Sequence, residues 1–454
     1  MNFNHYSEKK YHKKEWEILR GNRLRKIVFL AIIVSILTAG CSGTELNITE
    51  LNFIEELTNQ PVEMLDETAF QAESKKGLYT NFTDMELVNE INELGVNHTL
   101  VNIDIGDLLT NGRMEIQSED GERYRINRYL LYMYDRAFQK FAENNIVTTV
   151  VLLASPCPYE IVEDNIESSY GNFNMHSSEG RKCLETVISF LAERYSRADA
   201  KYGQVVNWIV GNEVNNPSEW NDSNLSIEDY MKNYAESIRM VSNTIRSISP
   251  YSRIYISLDH FWNSEAEGRI NAKQFVNYLA QQLSDVYWNV AYHPYPYSLL
   301  DPQTWLDPVT YDENTEVISM KNISVLTDYM KQFPNPDGSQ KRVILSEVGF
   351  QGTDEEIQAA AYVYSYYQAE ANPDIDSLIL NRHVDHSVEI AQGAYFGLWK
   401  SDPDRHGEHP TEKRKLWYVF RDIDTEKSEE VAQFALPIIG AEQWADVINN
   451  YAVS

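Results

Sequence analysis

Between residues 77 and 424 the chain alternates short apolar runs, rich in β-branched residues, with longer segments whose apolar positions recur at helical spacing. Continuous or alternating apolar runs of this length read as strands, and the 3.6-residue recurrence reads as amphipathic helix. Strands are predicted at 77–80, 98–104, 147–154, 205–211, 253–258, 285–292, 342–346 and 375–381. Helices are predicted at 84–94, 127–143, 180–194, 226–248, 272–283, 317–332, 354–370 and 412–422. Ser226 with Asp229 makes a capping-box-like start for the fourth helix, and Pro250 closes its end. Eight strands each followed by a helix have the size and order of an α/β fold closed as a (β/α)₈ TIM barrel. An open doubly wound sheet is the competing architecture. Against it, no Gly-rich dinucleotide or phosphate loop follows the first strand.

The N-terminal segment has a different pattern. Residues 1–26 are basic and polar, 27–37 are apolar, and the run ends in Leu37-Thr38-Ala39-Gly40-Cys41. An apolar run this short suits the centre of a signal peptide better than a membrane span, and small residues before a Cys suit a processing site. The segment resembles bacterial lipoprotein signals, which implies lipidation of Cys41, export, and attachment of the protein to the bacterial membrane at the cell surface. A plain membrane anchor that stays attached is the other reading. The expected organisation is a signal peptide at 1–41, a tether and lead-in at 42–76, a catalytic barrel at 77–424, and a helical extension at 425–454 that packs on the barrel.

Charge narrows the partners. The formal net charge is −29, and the segment before Cys41 carries eight Lys/Arg against three Glu, so the exported body is more acidic still. Such a surface repels nucleic acid and anionic lipid, which argues against a nucleic-acid partner and favours neutral substrates. Beyond Cys41 only Cys157 and Cys183 remain, a pair without the spacing of a disulfide scaffold or a zinc site, and both read as free thiols.

In a barrel of this kind the reactive groups stand where strands finish and loops begin. The fourth predicted strand runs through "VVNWIVGNEV" to Asn212-Glu213, and the seventh through "RVILSEVGFQG" to Glu347. A carboxylate at the end of a core strand is costly unless paired or used. Two of them across one barrel mouth meet the requirement for glycosidic bond hydrolysis, in which one carboxylic acid protonates the leaving oxygen and one carboxylate attacks the anomeric carbon.

"WIVGNEVN" and "ILSEVGF", three βα units apart, resemble the catalytic strands of the clan A retaining glycoside hydrolases. The resemblance implies Glu213 as general acid/base, Glu347 as nucleophile, and Asn212 as a hydrogen-bond partner of the sugar 2-hydroxyl. It also implies that the pKa of Glu213 is raised while Glu347 is anionic and falls once that charge is esterified. The "GNEVNN" stretch further resembles an uncharacterised family of bacterial exported proteins, which adds no activity.

Other rim positions complete a candidate site. "WNVAYHPYPYSL" places His293 and Tyr295 after the sixth strand, where clan members carry a residue that contacts the nucleophile and the sugar, so a Tyr295 hydroxyl would hold Glu347 ionised and oriented. "SLDHFW" brings Asp259, His260 and Trp262 to the rim, with Trp262 a sugar-stacking candidate or a core residue. Trp220 and Trp305 lie in polar loops suited to stacking, while Trp208 lies inside a strand and reads as core. Asn102, Asp104 and Asp107 follow the second strand and suit sugar hydroxyls or loop capping equally. After the eighth strand "LNRHVDHS" stands where clan members often carry a Trp; Trp399 comes later, so the glycone pocket is expected to be polar or charged. His383, Asp385 and His386 read as a polar rim, and no metal or cofactor is expected.

The sequence therefore points to an exported, lipid-anchored retaining glycosidase acting by double displacement. Long loops after strands three to six favour an oligo- or polysaccharide in a cleft. The alternatives are a non-catalytic surface glycan-binding protein on the same barrel, or a transglycosylase.

Overall fold

The computed structural model describes residues 62–264, 268–449 and 451. The expected signal peptide, Cys41 and most of the tether lie outside the described residues. Eight parallel strands close into a barrel: β1 (Lys76–Tyr79), β2 (His98–Asp104), β3 (Val147–Leu153), β4 (Asn207–Val210), β5 (Arg253–Leu258), β6 (Asn289–Tyr292), β7 (Val343–Val348) and β8 (Ile375–Leu380). Each pairs with its sequence neighbours and β8 pairs with β1, so no sheet edge is left open. Around it stand α1 (Met85–Glu93), α2 (Arg128–Glu143), α3 (Ser178–Tyr195), α4 (Ile227–Ile248), α5 (Ala272–Gln282), α6 (Ser324–Met330), α7 (Glu355–Glu370) and α8 (Lys415–Asp422).

Alternation along the strands divides the core in two. Inward positions Leu100, Val151, Leu153, Ile209, Tyr255, Ala291, Ile344 and Ile379 fill the barrel. The opposite parity, with Trp208, Val210, Ile254 and Ile256 among it, packs beneath the helices. At the amino end, Asp376 accepts from Arg342 Nε at 3.0 Å and from Arg253 at 3.1 Å. On that same side, Leu65 of the lead-in closes over Val147 and Val206. The amino end is thus plugged, which leaves the carboxyl end as the open mouth.

Several boundaries differ from the sequence reading. The sixth strand is confined to Asn289–Tyr292, because Val286 N–H already bonds to Leu283 O in the turn that ends α5. The expected helix at 317–332 is broken: Ser319 and Asn322 cap a short 3₁₀ turn, Met320–Asn322, and α6 starts only at Ser324. The expected helix at 412–422 starts at Lys415, since Pro410–Lys413 pairs antiparallel with Trp399–Ser401. A second hairpin, Met114–Gln117 with Arg123–Ile126, fills the loop after β2. After α8, short helices Ser428–Ala432 and Ala435–Ile439 follow, and Trp444 lies edge-on to Tyr367 of α7. Cys157 and Cys183 are free thiols.

Candidate active site

The backbone at the end of β4 turns sharply to present Glu213. Gly211 (φ 70°) and Glu213 (φ 42°) both occupy the left-handed region, which is rare and costly for a glutamate. The turn is held from several sides: Glu213 N–H donates to Ser257 Oγ (3.0 Å), Val214 N–H to Ser257 O (2.9 Å), and Asn221 Nδ2 to Asn212 O (2.6 Å). A Cβ at Gly211 would stand 2.5 Å from Asn221 Oδ1. Gly211→Ala is therefore expected to destabilise the fold by about 1–3 kcal/mol, readable as a lowered urea midpoint with an unchanged slope.

Glu347 reaches the mouth by a different device. Ile344 points into the barrel, so strict alternation would send Glu347 outward. Against β8, however, Leu345 pairs with Leu378 and Val348 with Leu380, three steps on one strand for two on the other. This bulge reverses the parity: Leu345 and Val348 both belong to the outer core, and Glu347 turns inward. There its Oε1 accepts from Tyr295 OH at 2.7 Å and from Asn381 Nδ2 at 3.3 Å, and Asn381 also donates to Tyr295 OH (3.0 Å). Burial, then the Glu347 charge, pushes the Tyr295 phenol well above its usual range, so it stays a donor. Gly349 lets β7 approach this loop, since a Cβ there would lie 2.7 Å from Asn381 O.

His293 stands between the two acids. Its Nδ1 lies 3.0 Å from Glu213 Oε1 and its Nε2 3.4 Å from Ser257 Oγ, with the side chain 2% exposed. Burial disfavours the imidazolium, but the charges of Glu347, Glu213 and Asp259 outweigh it and leave the His293 pKa above the ordinary histidine value. Conversely, burial would raise Glu213, yet the His293 hydrogen bond and charge, with Arg269 and His260, bring it below the usual glutamate value. This is opposite in direction to the raised pKa expected for an acid facing an anionic partner. The reason is local: the nearest partner of Glu213 is the His293 ring, whose hydrogen bond favours the carboxylate. Behind the pair, Asp259 bonds Asn215 (2.6 Å) and pairs with Arg269, and burial lifts it to about 6. Burial drives His260 down to about 3, so it stays neutral.

The remaining rim residues divide. Asn102 and Asp104 share the inward parity of Leu100; Asn102 is half-buried, whereas Asp104 caps the turn that follows by accepting from Gly106 N–H (2.9 Å) and Ser155. Trp220 lies in the short helix Pro217–Trp220, half-buried against the inner core, its ring stacked 5.6 Å from Tyr170. Loops after β3 and β4 join here through a bridge between Gly171 and Asp222, forming one wall of the mouth. Asn212 is 7% exposed, with Oδ1 3.5 Å from Ser257 Oγ. On the far side Arg382 is bound by Glu389 (2.8 Å) and Glu408 (3.3 Å), so the region beside Glu347 is charged.

Trp262 is not a rim platform: it is 0% exposed, donates to Glu313 O (3.1 Å) and lies edge-on to Tyr329, because the loop after β6 folds over it. Trp305 is buried too, against Tyr364. Trp399 packs on the outer core, its indole N–H bonded to Glu90 of α1 (2.9 Å), and is not brought together with the two glutamates. His383 also bonds Glu90 (2.7 Å), Asp385 pairs with Arg414, and His386 caps Val388 N–H. Among the described residues, no three His, Cys, Asp or Glu converge on a point where a metal could sit. Two participants escaped the sequence reading. Asn381 was visible only as a departure from the clan pattern, and Ser257 carried no signal at all.

Solved structures place this architecture among known ones. A family 39 glycoside hydrolase from the gut symbiont Bacteroides cellulosilyticus WH2 superposes with a TM-score of 0.51 at 13% identity, covering 81% of this chain and 66% of that one. The β-glycosidase from the hyperthermophile Thermosphaera aggregans gives 0.50 at 14% identity, covering 76% and 86%. At such identities the likeness is one of fold, a (β/α)₈ barrel common to these glycoside hydrolases. No curated protein matches the chain. Residues 68–447 match DUF5722, a family of unknown function, and the chain belongs to that family.

Proposed function

We propose that this protein is a retaining glycoside hydrolase that cleaves O-glycosidic bonds of an oligo- or polysaccharide. The observation that carries the reading is the pairing of Glu213 and Glu347 at the ends of β4 and β7, each oriented by its own partners, with His293 touching one and electrostatically coupled to the other. The fold shared with glycoside hydrolases supports it.

In this mechanism Glu347 attacks the anomeric carbon while Glu213 protonates the departing oxygen. The resulting glycosyl ester is then hydrolysed by a water that Glu213 deprotonates. Tyr295 and Asn381 donate to the attacking carboxylate and fix its rotamer. Asn212 faces the sugar 2-hydroxyl, Asn102 other hydroxyls, and Trp220 the apolar face of a neighbouring ring. We also propose export and attachment to the membrane through a lipid on Cys41.

The test is release of sugar from a panel of glycans and aryl glycosides. Glu213→Ala is expected to lower kcat/KM by about 10²–10⁴ on substrates with poor leaving groups, and far less on dinitrophenyl glycosides, whose departure needs no proton. Equal release by variant and native protein from both kinds of substrate would end the catalytic assignment. Glycan binding without release would favour the non-catalytic reading, and transfer to added sugar acceptors would mark a transglycosylase.

A further inference from the structure

The partners of His293 accommodate a ring protonated on both nitrogens. Ser257 Oγ already accepts the Glu213 N–H at 3.0 Å. Its hydroxyl proton has two acceptors in reach: Asn212 Oδ1 at 3.5 Å and, when the ring is neutral with its proton on Nδ1, His293 Nε2 at 3.4 Å. His293 Nδ1 faces a carboxylate oxygen at 3.0 Å and donates to it, and Nε2 donates to Ser257 Oγ when the Ser257 proton is turned to Asn212. In that arrangement both ring nitrogens donate, which is the imidazolium form. The surroundings favour it: Glu213, Glu347 and Asp259 act on the ring as acids, while Arg269 is paired with Asp259 and the nearby His260 is neutral.

From this geometry we infer, on the glycosidase reading above, that His293 is the proton reservoir of the general acid: the proton given to the leaving group resides on His293 Nδ1 in the free enzyme. The resting pair is imidazolium and carboxylate. Its reactive tautomer is neutral imidazole and carboxylic acid, reached when the proton crosses from Nδ1 to Glu213 and the carboxyl turns to the glycosidic oxygen. As the bond from the anomeric carbon to that oxygen breaks, the proton goes to the oxygen and a Glu347 oxygen bonds to the carbon. Glu213 is then a carboxylate beside a neutral imidazole. In the second step water adds to the anomeric carbon, the ester bond to Glu347 breaks, and the water proton passes to Glu213 and back to His293. The pair thus ends as it began.

The pH dependence follows. Activity needs one proton on the pair, so the alkaline limb of kcat/KM reports the loss of that proton from His293, above the ordinary histidine range, and not the titration of a carboxylate. A positioning role alone would leave the limb with Glu213.

The experiment is a pH profile of kcat/KM for native protein and His293→Gln, each with a phenyl and a dinitrophenyl glycoside of an accepted sugar. The expected result is a native alkaline limb above pH 6.5 with the phenyl substrate. In His293→Gln the limb moves down by at least one pH unit, the neutral-pH rate falls at least tenfold for the phenyl glycoside, and the dinitrophenyl rate changes by less than threefold. A limb unmoved by His293→Gln, or equal losses on both substrates, overturns the proposal. Because the variant could misfold, nitrogen-15 histidine spectra of the native protein give a second reading. A doubly protonated His293 at pH 7 that turns neutral in Glu213→Gln supports the proposal, and a neutral His293 in the native protein refutes it. Absence of release from any glycoside by native protein counts against the glycosidase reading itself, and with it this one.

Discussion

Glu347→Ala is expected to lower kcat by at least about 10⁴-fold, because it removes the atom that forms the covalent bond and no neighbour can replace it. Of the groups that touch Glu347, Asn381 offers an amide nitrogen with no available lone pair, and burial keeps the Tyr295 phenol protonated, so neither replaces it as a nucleophile. The same vacancy allows a chemical rescue. A small anion such as azide, soaked into the space the carboxylate left, should attack the anomeric carbon directly and give a glycosyl azide of inverted configuration. A dinitrophenyl glycoside isolates this step, since its departure does not need Glu213. The matching experiment on native protein is covalent capture by a 2-deoxy-2-fluoro glycosyl fluoride, with the label found by mass spectrometry on the peptide containing Glu347. Full activity in Glu347→Ala, or a label elsewhere with a sugar the native protein accepts, would remove the double-displacement reading.

Where Glu347 points shows what a sequence can and cannot reveal. The eight apolar runs and their helices were legible because burial on both faces of a parallel strand imposes a continuous apolar stretch, and the order of units then fixed the barrel. The position of Glu347 at a strand end was legible too. Its direction was not: a period of two sends it to the helix side, and only the bulge between Leu345 and Val348 brings it inside. The same holds for Glu213, whose inward aim depends on two left-handed residues, Gly211 and Glu213 itself, on either side of Asn212. Its depressed pKa depends on a partner 80 residues away. Contacts between loops were the least readable. Nothing local to "SLDHFW" or "LNRHVDHS" says that one indole is covered by a distant loop or that His383 turns to a helix glutamate at the other end of the chain.

Trp262 turns this into a measurement that separates packing from recognition. Its side chain is fully enclosed, its N–H is satisfied by Glu313 O, and Tyr329 closes on it edge-on with ring centroids 5.0 Å apart. The backbone around it also ties this loop to the first turn of α5 and to the loop after β6, since Lys273 N–H donates to Trp262 O (2.9 Å) and Asn263 N–H to Glu316 O (3.2 Å). Trp262→Ala is therefore expected to cost about 3–5 kcal/mol, lost burial plus the cavity left by partial collapse. The check is a lowered urea midpoint at unchanged slope, together with KM values for a tri- or tetrasaccharide within about twofold of native below the transition. A sugar platform would behave the other way, with KM rising steeply at nearly native stability. If Trp262→Ala left stability intact and weakened oligosaccharide binding, the loop after β6 would have to open in solution and expose this ring. The candidate left for stacking at the mouth is Trp220, backed by Tyr170 at the junction of the β3 and β4 loops.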